Sequence, residues 1–132
     1  MTHQYQCHLR VRSYEVDSFG HVNNAAYLNY LEAARGDALI QAGLSFHHFE
    51  EWSAFPVVRR ARLDFLAPLF SDDEIRIESE MTPLRRTGFH AHQKIIRTST
   101  GTLALDAELE LVFTSRAGRP IAVPELFKER FL

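Results

Sequence analysis

Apolar and polar residues alternate at two different periods along this chain, and the change of period divides it into elements. Cys7, Leu9 and Val11 face one way and His8, Arg10 and Arg12 the other, so residues 5 to 16 read as a half-buried strand. Asp17-Ser18-Phe19-Gly20 breaks both periods and predicts a turn. Asn23 and Asn24 follow, and an asparagine oxygen can accept an orphan N–H of a first helical turn, so a helix is expected from about Asn24. Tyr27, Tyr30, Leu31, Ala34, Ala38 and Ala42 form one stripe while Ala33 and Ile40 lie off it, which predicts a helix buried on more than one side. Gly43 supplies a left-handed C′ residue, giving a helix of about 19 residues.

Four more strands follow at period 2. Phe55, Val57, Ala61, Leu63 and Phe65 share a face interrupted only by Arg59; Ile75, Ile77, Ser79 and Met81 form the next, then Phe89 to Ile95, then Leu103 to Phe113. Residues 44 to 53 read as a loop or short helical turn able to act as a flap, and residues 124 to 132 as a helix opened by proline. A strand, a long helix and four strands joined by short turns make an α+β fold, an antiparallel sheet of five strands or slightly more wrapped around one long helix. Such a sheet covers its helix incompletely, and a chain this small buries only about two-thirds of its unfolded surface. A homodimer or homotetramer is therefore expected, with a site shared between copies.

With 45% apolar and 24% charged residues, positions 1 to 132 read as one globular domain. A formal charge of −2 gives no global attraction to nucleic acid. The single cysteine, Cys7, cannot form an internal disulfide, and no apolar run approaches the roughly 18 residues of a membrane span, so a cytoplasmic protein without membrane insertion is expected. His90-x-His92 and His47-His48 bring no third ligand with them, so no metal is expected. There is no G-x-S-x-G elbow to carry a serine nucleophile.

The run from Tyr14 to Tyr27, with Asp17, Gly20, Val22 and Tyr27 in place, resembles the signature of hotdog-fold thioesterases of the 4-hydroxybenzoyl-CoA thioesterase type. Asp17-x3-His21-Val22-Asn23-Asn24 is still more similar to the D-x3-HVNN segment of long-chain acyl-CoA thioesterases and plant acyl-ACP thioesterases. Residues 55 to 68, the SDDEIRI segment and Arg85 to Phe89 extend the resemblance over essentially the whole chain. It implies a hotdog fold and hydrolysis of an acyl-CoA, medium- to long-chain, with no cofactor beyond the coenzyme A of the substrate. A thioester needs chiefly a base or nucleophile and a donor for its developing oxyanion. The resemblance assigns these to Asp17 and to the backbone amide of Asn24, with His21 orienting the site or binding substrate. It implies an acyl pocket at Tyr27, Tyr30, Leu31 and Phe55, and phosphate contacts from Arg85 and Arg86, with Arg59 a further candidate. The acyl-ACP enzymes carry asparagine two residues after the aspartate, where this chain has Phe19. An acyl-ACP thioesterase and a noncatalytic acyl-binding module are the alternatives, and Asp17 could equally be a turn residue bonding its own backbone.

Overall fold

The computed structural model describes residues 3–132, in the order β1 (His3–Arg10), α1 (Asn24–Gln41), α2 (Phe46–Trp52), β2 (Phe55–Phe65), β3 (Glu74–Leu84), β4 (Gly88–Arg97), β5 (Thr102–Thr114) and α3 (Glu125–Phe131). The first strand is shorter than its alternation predicts. It stops at Arg10, and Ser13–Glu15 is a 3-10 turn instead. Alternation carried past Arg10 because Val11 is wholly buried, but its amide donates to Asp73 O, outside the ladder between β1 and β3.

Five antiparallel strands form one sheet in the order β1-β3-β4-β5-β2. Alternate residues of β3, β4 and β5 point inward and are buried, among them Ile75, Ile77, Met81, Ile95, Leu105 and Leu109. The 18-residue α1 lies across this face, sealed to it by Leu31, Ala34 and Ala38, so the sheet wraps the helix as expected. Asn23 caps α1 by accepting from the Ala25 amide at 2.9 Å, and Gly43 turns away with φ of 76°. Burial on several sides holds only in part, because Leu28 and Ile40 are exposed in the single chain. The segment before β2 is a full helical turn and more, α2, ended by Ser53 in the left-handed region.

β2 departs from its sequence pattern. Opposite β5, Pro56 and Val58 stand against Phe113 and Leu111, whereas Ala61, Leu63 and Phe65 stand against Leu109, Ala107 and Leu105; the register shifts between Val58 and Arg60. Arg59 is the extra residue of a bulge, and one extra residue reverses the alternation. Phe55 and Val57 therefore sit on the opposite face from Ala61, Leu63 and Phe65, which the sequence pattern had grouped with them. β2 is also an edge strand whose inward face α1 covers only in part, leaving Val58 and Phe65 about half exposed. α3 closes the other side of the core, where Phe127 and Phe131 pack on Phe49, Phe89 and Phe113. Among the described residues no helix is long and apolar enough to cross a membrane.

Candidate active site at the start of the long helix

Residues 15 to 23 fold back on themselves before α1 begins. Val16 and Val22 form an isolated antiparallel bridge, the Asp17 amide donates to His21 O at 2.7 Å, and the Gly20 amide donates to Asp17 O at 3.0 Å. Gly20 has φ of 83°, a conformation that costs glycine little and other residues more. His21 bridges to Phe70, its ring meeting the Phe70 ring edge-on at 5.3 Å. The loop is thus stitched to the segment that leads into β3.

Within it the Asp17 carboxylate divides its work. Oδ1 accepts the backbone amides of Phe19 (2.8 Å) and His21 (3.2 Å), the turn role expected of an aspartate beside a glycine. Oδ2 accepts nothing among the described residues, and the side chain is exposed. A few residues on, Asn23 takes up the Ala25 amide with its side chain and the Ala26 amide with its carbonyl, while the Asn24 amide is engaged by no described residue. As the first helical N–H it points out of the positive end of α1. The segment entering α1 therefore carries a carboxylate oxygen with no partner among the described residues and, seven positions on, a backbone donor with none. Those are the two groups thioester hydrolysis calls for.

Glu15, which the sequence pattern passes over as one more strand position, positions this loop. Its Oε1 accepts the Arg12 amide (2.7 Å) and the Tyr30 hydroxyl (2.9 Å), and its carbonyl accepts the Asn23 amide (2.8 Å). Burial, and then the Glu15 carboxylate, push the Tyr30 phenol well above the ordinary tyrosine range, so Tyr30 stays a donor. An acid two residues before a turn aspartate is too common a pattern to have marked it.

The other sequence candidates are spread more widely. Tyr27 is buried and meets Phe65 of β2 edge-on at 5.2 Å. Tyr30 and Leu31 are buried in the core beneath α1. Phe55 lies under the Arg116 guanidinium (5.0 Å) on the outward side of the bulge, and Arg59 is the bulged residue itself. Arg85 and Arg86 form the exposed turn between β3 and β4, with Arg85 at φ of 59°. The Asp17 loop is tied to Leu69 and Phe70, just before β3 starts, whereas Arg85 follows its end. Eleven strand residues separate them, about 33 Å. Within one chain these arginines do not reach the Asp17 loop. His92 pairs with Asp106 (2.7 Å) on the outer sheet face.

Two cavities bear on the placement of a substrate. One of about 590 Å³ is polar, lies over β1, β3 and β4 between Gln6, Glu78 and Lys94, and has no part of the Asp17 loop in its wall. The other, about 300 Å³, is largely apolar and lies between α1, α2, the bulged end of β2 and α3. Pro56, Val57 and Val58 line it; Phe55 does not.

Comparison with known proteins gives these features a setting. A family model described as the thioesterase-like superfamily matches residues 11–131. The acyl-acyl carrier protein thioesterase ATL3 of Arabidopsis thaliana, a chloroplastic protein, is 25% identical over 132 residues, covering 100% of this chain and 70% of its own. The long-chain acyl-CoA thioesterase FadM of Escherichia coli K12 is 31% identical over 107 residues, 81% of this chain and 80% of that one. Among solved structures, the 1,4-dihydroxy-2-naphthoyl-CoA thioesterase Slr0204 from Synechocystis superposes with a TM-score of 0.90 over 97% of this chain and 95% of its own, at 17% identity. At that identity the likeness is one of fold, and the fold is the hotdog.

Proposed function

We propose, from the premise that the chain belongs to the thioesterase-like superfamily, that it is a thioester hydrolase cleaving acyl-CoA to the free acid and coenzyme A. One observation supports the reading: Asp17 Oδ2 and the Asn24 amide, both without a partner among the described residues, belong to the one folded-back segment that enters α1. The Asn24 N–H polarises the thioester carbonyl and takes the developing oxyanion. Asp17 Oδ2 either removes a proton from an attacking water or itself adds to the carbonyl carbon; thiolate leaves in both cases, and the second route ends when water cleaves the mixed anhydride. His21, whose amide fixes Asp17 Oδ1, flanks the carbonyl. Tyr27, with Tyr30 and Leu31 behind it, backs the groove between α1 and β2 in which the acyl chain lies, and we read that chain as medium to long.

The coenzyme A phosphates need cations, and Arg85 and Arg86 lie at the wrong end of their own sheet. In an antiparallel pairing of two β2 edges, the Phe55 end of one copy meets the Phe65 end of the other, which puts the Arg85-Arg86 turn of each copy at the same end of the joined sheet as the Asp17 loop of its neighbour. A homodimer, free-standing or within a tetramer, is therefore part of the proposal, as are a cytoplasmic setting and a single domain over residues 1 to 132. The test is thiol release from aryl-, short-, medium- and long-chain acyl-CoA and from an acyl carrier protein thioester, beside Asp17→Asn. Turnover of medium and long acyl-CoA that falls by about 10² to 10⁴ in the variant is expected. Acyl binding without thiol release, indifferent to the substitution, would make the chain a binding module.

A further inference from the structure

The face of α1 that begins at Asn24 leads somewhere. At about 3.6 residues per turn, Asn24, Leu28, Arg35 and Leu39 fall on one stripe, with Glu32 at its margin. From Asn24 to Arg35 the axis rises about 16 Å, the reach of an extended alkyl chain of medium length. The stripe ends at the apolar cavity of about 300 Å³. Phe46, Phe49, Phe89, Phe127 and Phe131 contribute to its wall, and Arg35 is the cation in its lining.

Arg35 is held there by one nitrogen. Nη1 donates to Gln93 Oε1 at 3.0 Å, and Gln93, with no exposed surface, is itself fixed because its Nε2 donates to Leu31 O (3.1 Å) and Ser79 Oγ (3.0 Å). The guanidinium forms no ion pair among the described residues. Burial pulls its pKa down, opposed by the Glu32 carboxylate at the cavity edge. An arginine has five N–H donors, so anchoring one nitrogen leaves donors without a partner among the described residues beside a largely apolar cavity. A hydrocarbon chain end would satisfy the aromatic wall yet displace water from those donors and return nothing, which is costly. An oxygen at the chain end would replace the water.

Resting on the thioesterase reading above, the geometry points to a substrate whose acyl group runs along α1 from the carbonyl at Asn24 and ends in an oxygen, hydroxyl or carboxylate, received by Arg35 in the aromatic cavity. Arg35 is then a specificity-determining residue, and it touches the end of the substrate farthest from the reacting bond. The lining carries Glu32 as well as Arg35, so a hydroxyl can donate to one and accept from the other, whereas a carboxylate engages Arg35 alone.

The experiment compares thiol release by the intact chain from dodecanoyl-CoA, ω-hydroxydodecanoyl-CoA and the CoA monothioester of dodecanedioic acid. At least one oxygen-ended substrate is expected to exceed the methyl-ended one in kcat/KM by about tenfold, the scale of one charge-assisted hydrogen bond. The two oxygenated substrates tell hydroxyl from carboxylate. In Arg35→Gln the ratio of oxygen-ended to methyl-ended kcat/KM falls to about one, and Arg35→Lys restores part of it. A ratio taken on one preparation does not depend on how much of the protein is folded. Equal kcat/KM for all three substrates, or a preference that Arg35→Gln leaves in place, overturns the inference. Calorimetric binding of dodecanedioate and ω-hydroxydodecanoate against dodecanoate reads the same subsite without turnover. A preference there that vanishes in Arg35→Gln upholds the subsite even if no thioester is cleaved, in which case the hydrolase reading alone fails.

Discussion

In the proposed reaction Asp17 does two things with two oxygens, and the substitutions that separate them are specific. Asparagine keeps an Oδ1 that can still accept the Phe19 and His21 amides, so Asp17→Asn should lose activity with little change in melting temperature. Asp17→Ala loses the turn as well, and should cost about 1 kcal/mol more of stability in urea unfolding. Tyr30 offers a second test. Its proton is retained in the folded chain above the ordinary tyrosine value of 10.0, through burial and the hydrogen bond to Glu15. Below that pH both folded and unfolded chains hold the proton and the full contribution stands. Above it only the unfolded chain ionises, so stability falls as pH rises. Tyr5 and Tyr27, also raised by burial, add to the same alkaline loss. Tyr30→Phe is expected to lower stability at pH 7 by about 1–2 kcal/mol and to flatten the decline above about pH 10, read from denaturation midpoints across pH.

Between elements, two contacts set the shape of the sheet. A Cβ on Gly88 would stand 2.3 Å from the Leu111 carbonyl oxygen, which is backbone and cannot step aside. Gly88→Ala should therefore disturb the pairing of β4 with β5 and cost about 2–3 kcal/mol, measured as a shift in the urea midpoint. Phe127 is almost wholly buried and meets the rings of Phe49, Phe89, Phe113 and Phe131, joining α3 to α2 and the sheet. Phe127→Ala is expected to cost about 3–5 kcal/mol and to open the far wall of the apolar cavity.

For the whole molecule, the decisive quantity is the distance of about 33 Å between the Asp17 loop and the Arg85-Arg86 turn along β3. If two copies complete each other's sites, Asp17→Asn protein and Arg85→Ala/Arg86→Ala protein, each weakly active alone, should regain activity when unfolded together and refolded as a mixture. Half of the sites in a mixed dimer would then carry every group. Recovery no greater than the sum of the separate proteins would show that each chain works with its own arginines or none. An unpaired β2 edge with its inner face half exposed also predicts a sedimentation coefficient that stays dimeric or larger on dilution.

The order of elements, the ends of α1 and the antiparallel sheet were legible in the residues, because period, asparagine caps and glycine stops act over a few neighbours and need no distant partner. So was the turn at Asp17 to Gly20, and with it a carboxylate placed just before a helix. The bulge at Arg59 was not legible: whether a strand takes in one extra residue depends on the register of β5, more than forty positions away, and that one residue moved Phe55 to the other face. Glu15 and Gln93 escaped for a related reason, since a polar side chain reveals its purpose only through the groups that surround it, Tyr30 and Asn23 for one, Arg35, Leu31 and Ser79 for the other. The separation of Arg85 and Arg86 from Asp17 is likewise a product of strand direction. Local order in the chain placed the carboxylate and the helix start of the proposed site; the pairing of distant strands decided which residues lie near them.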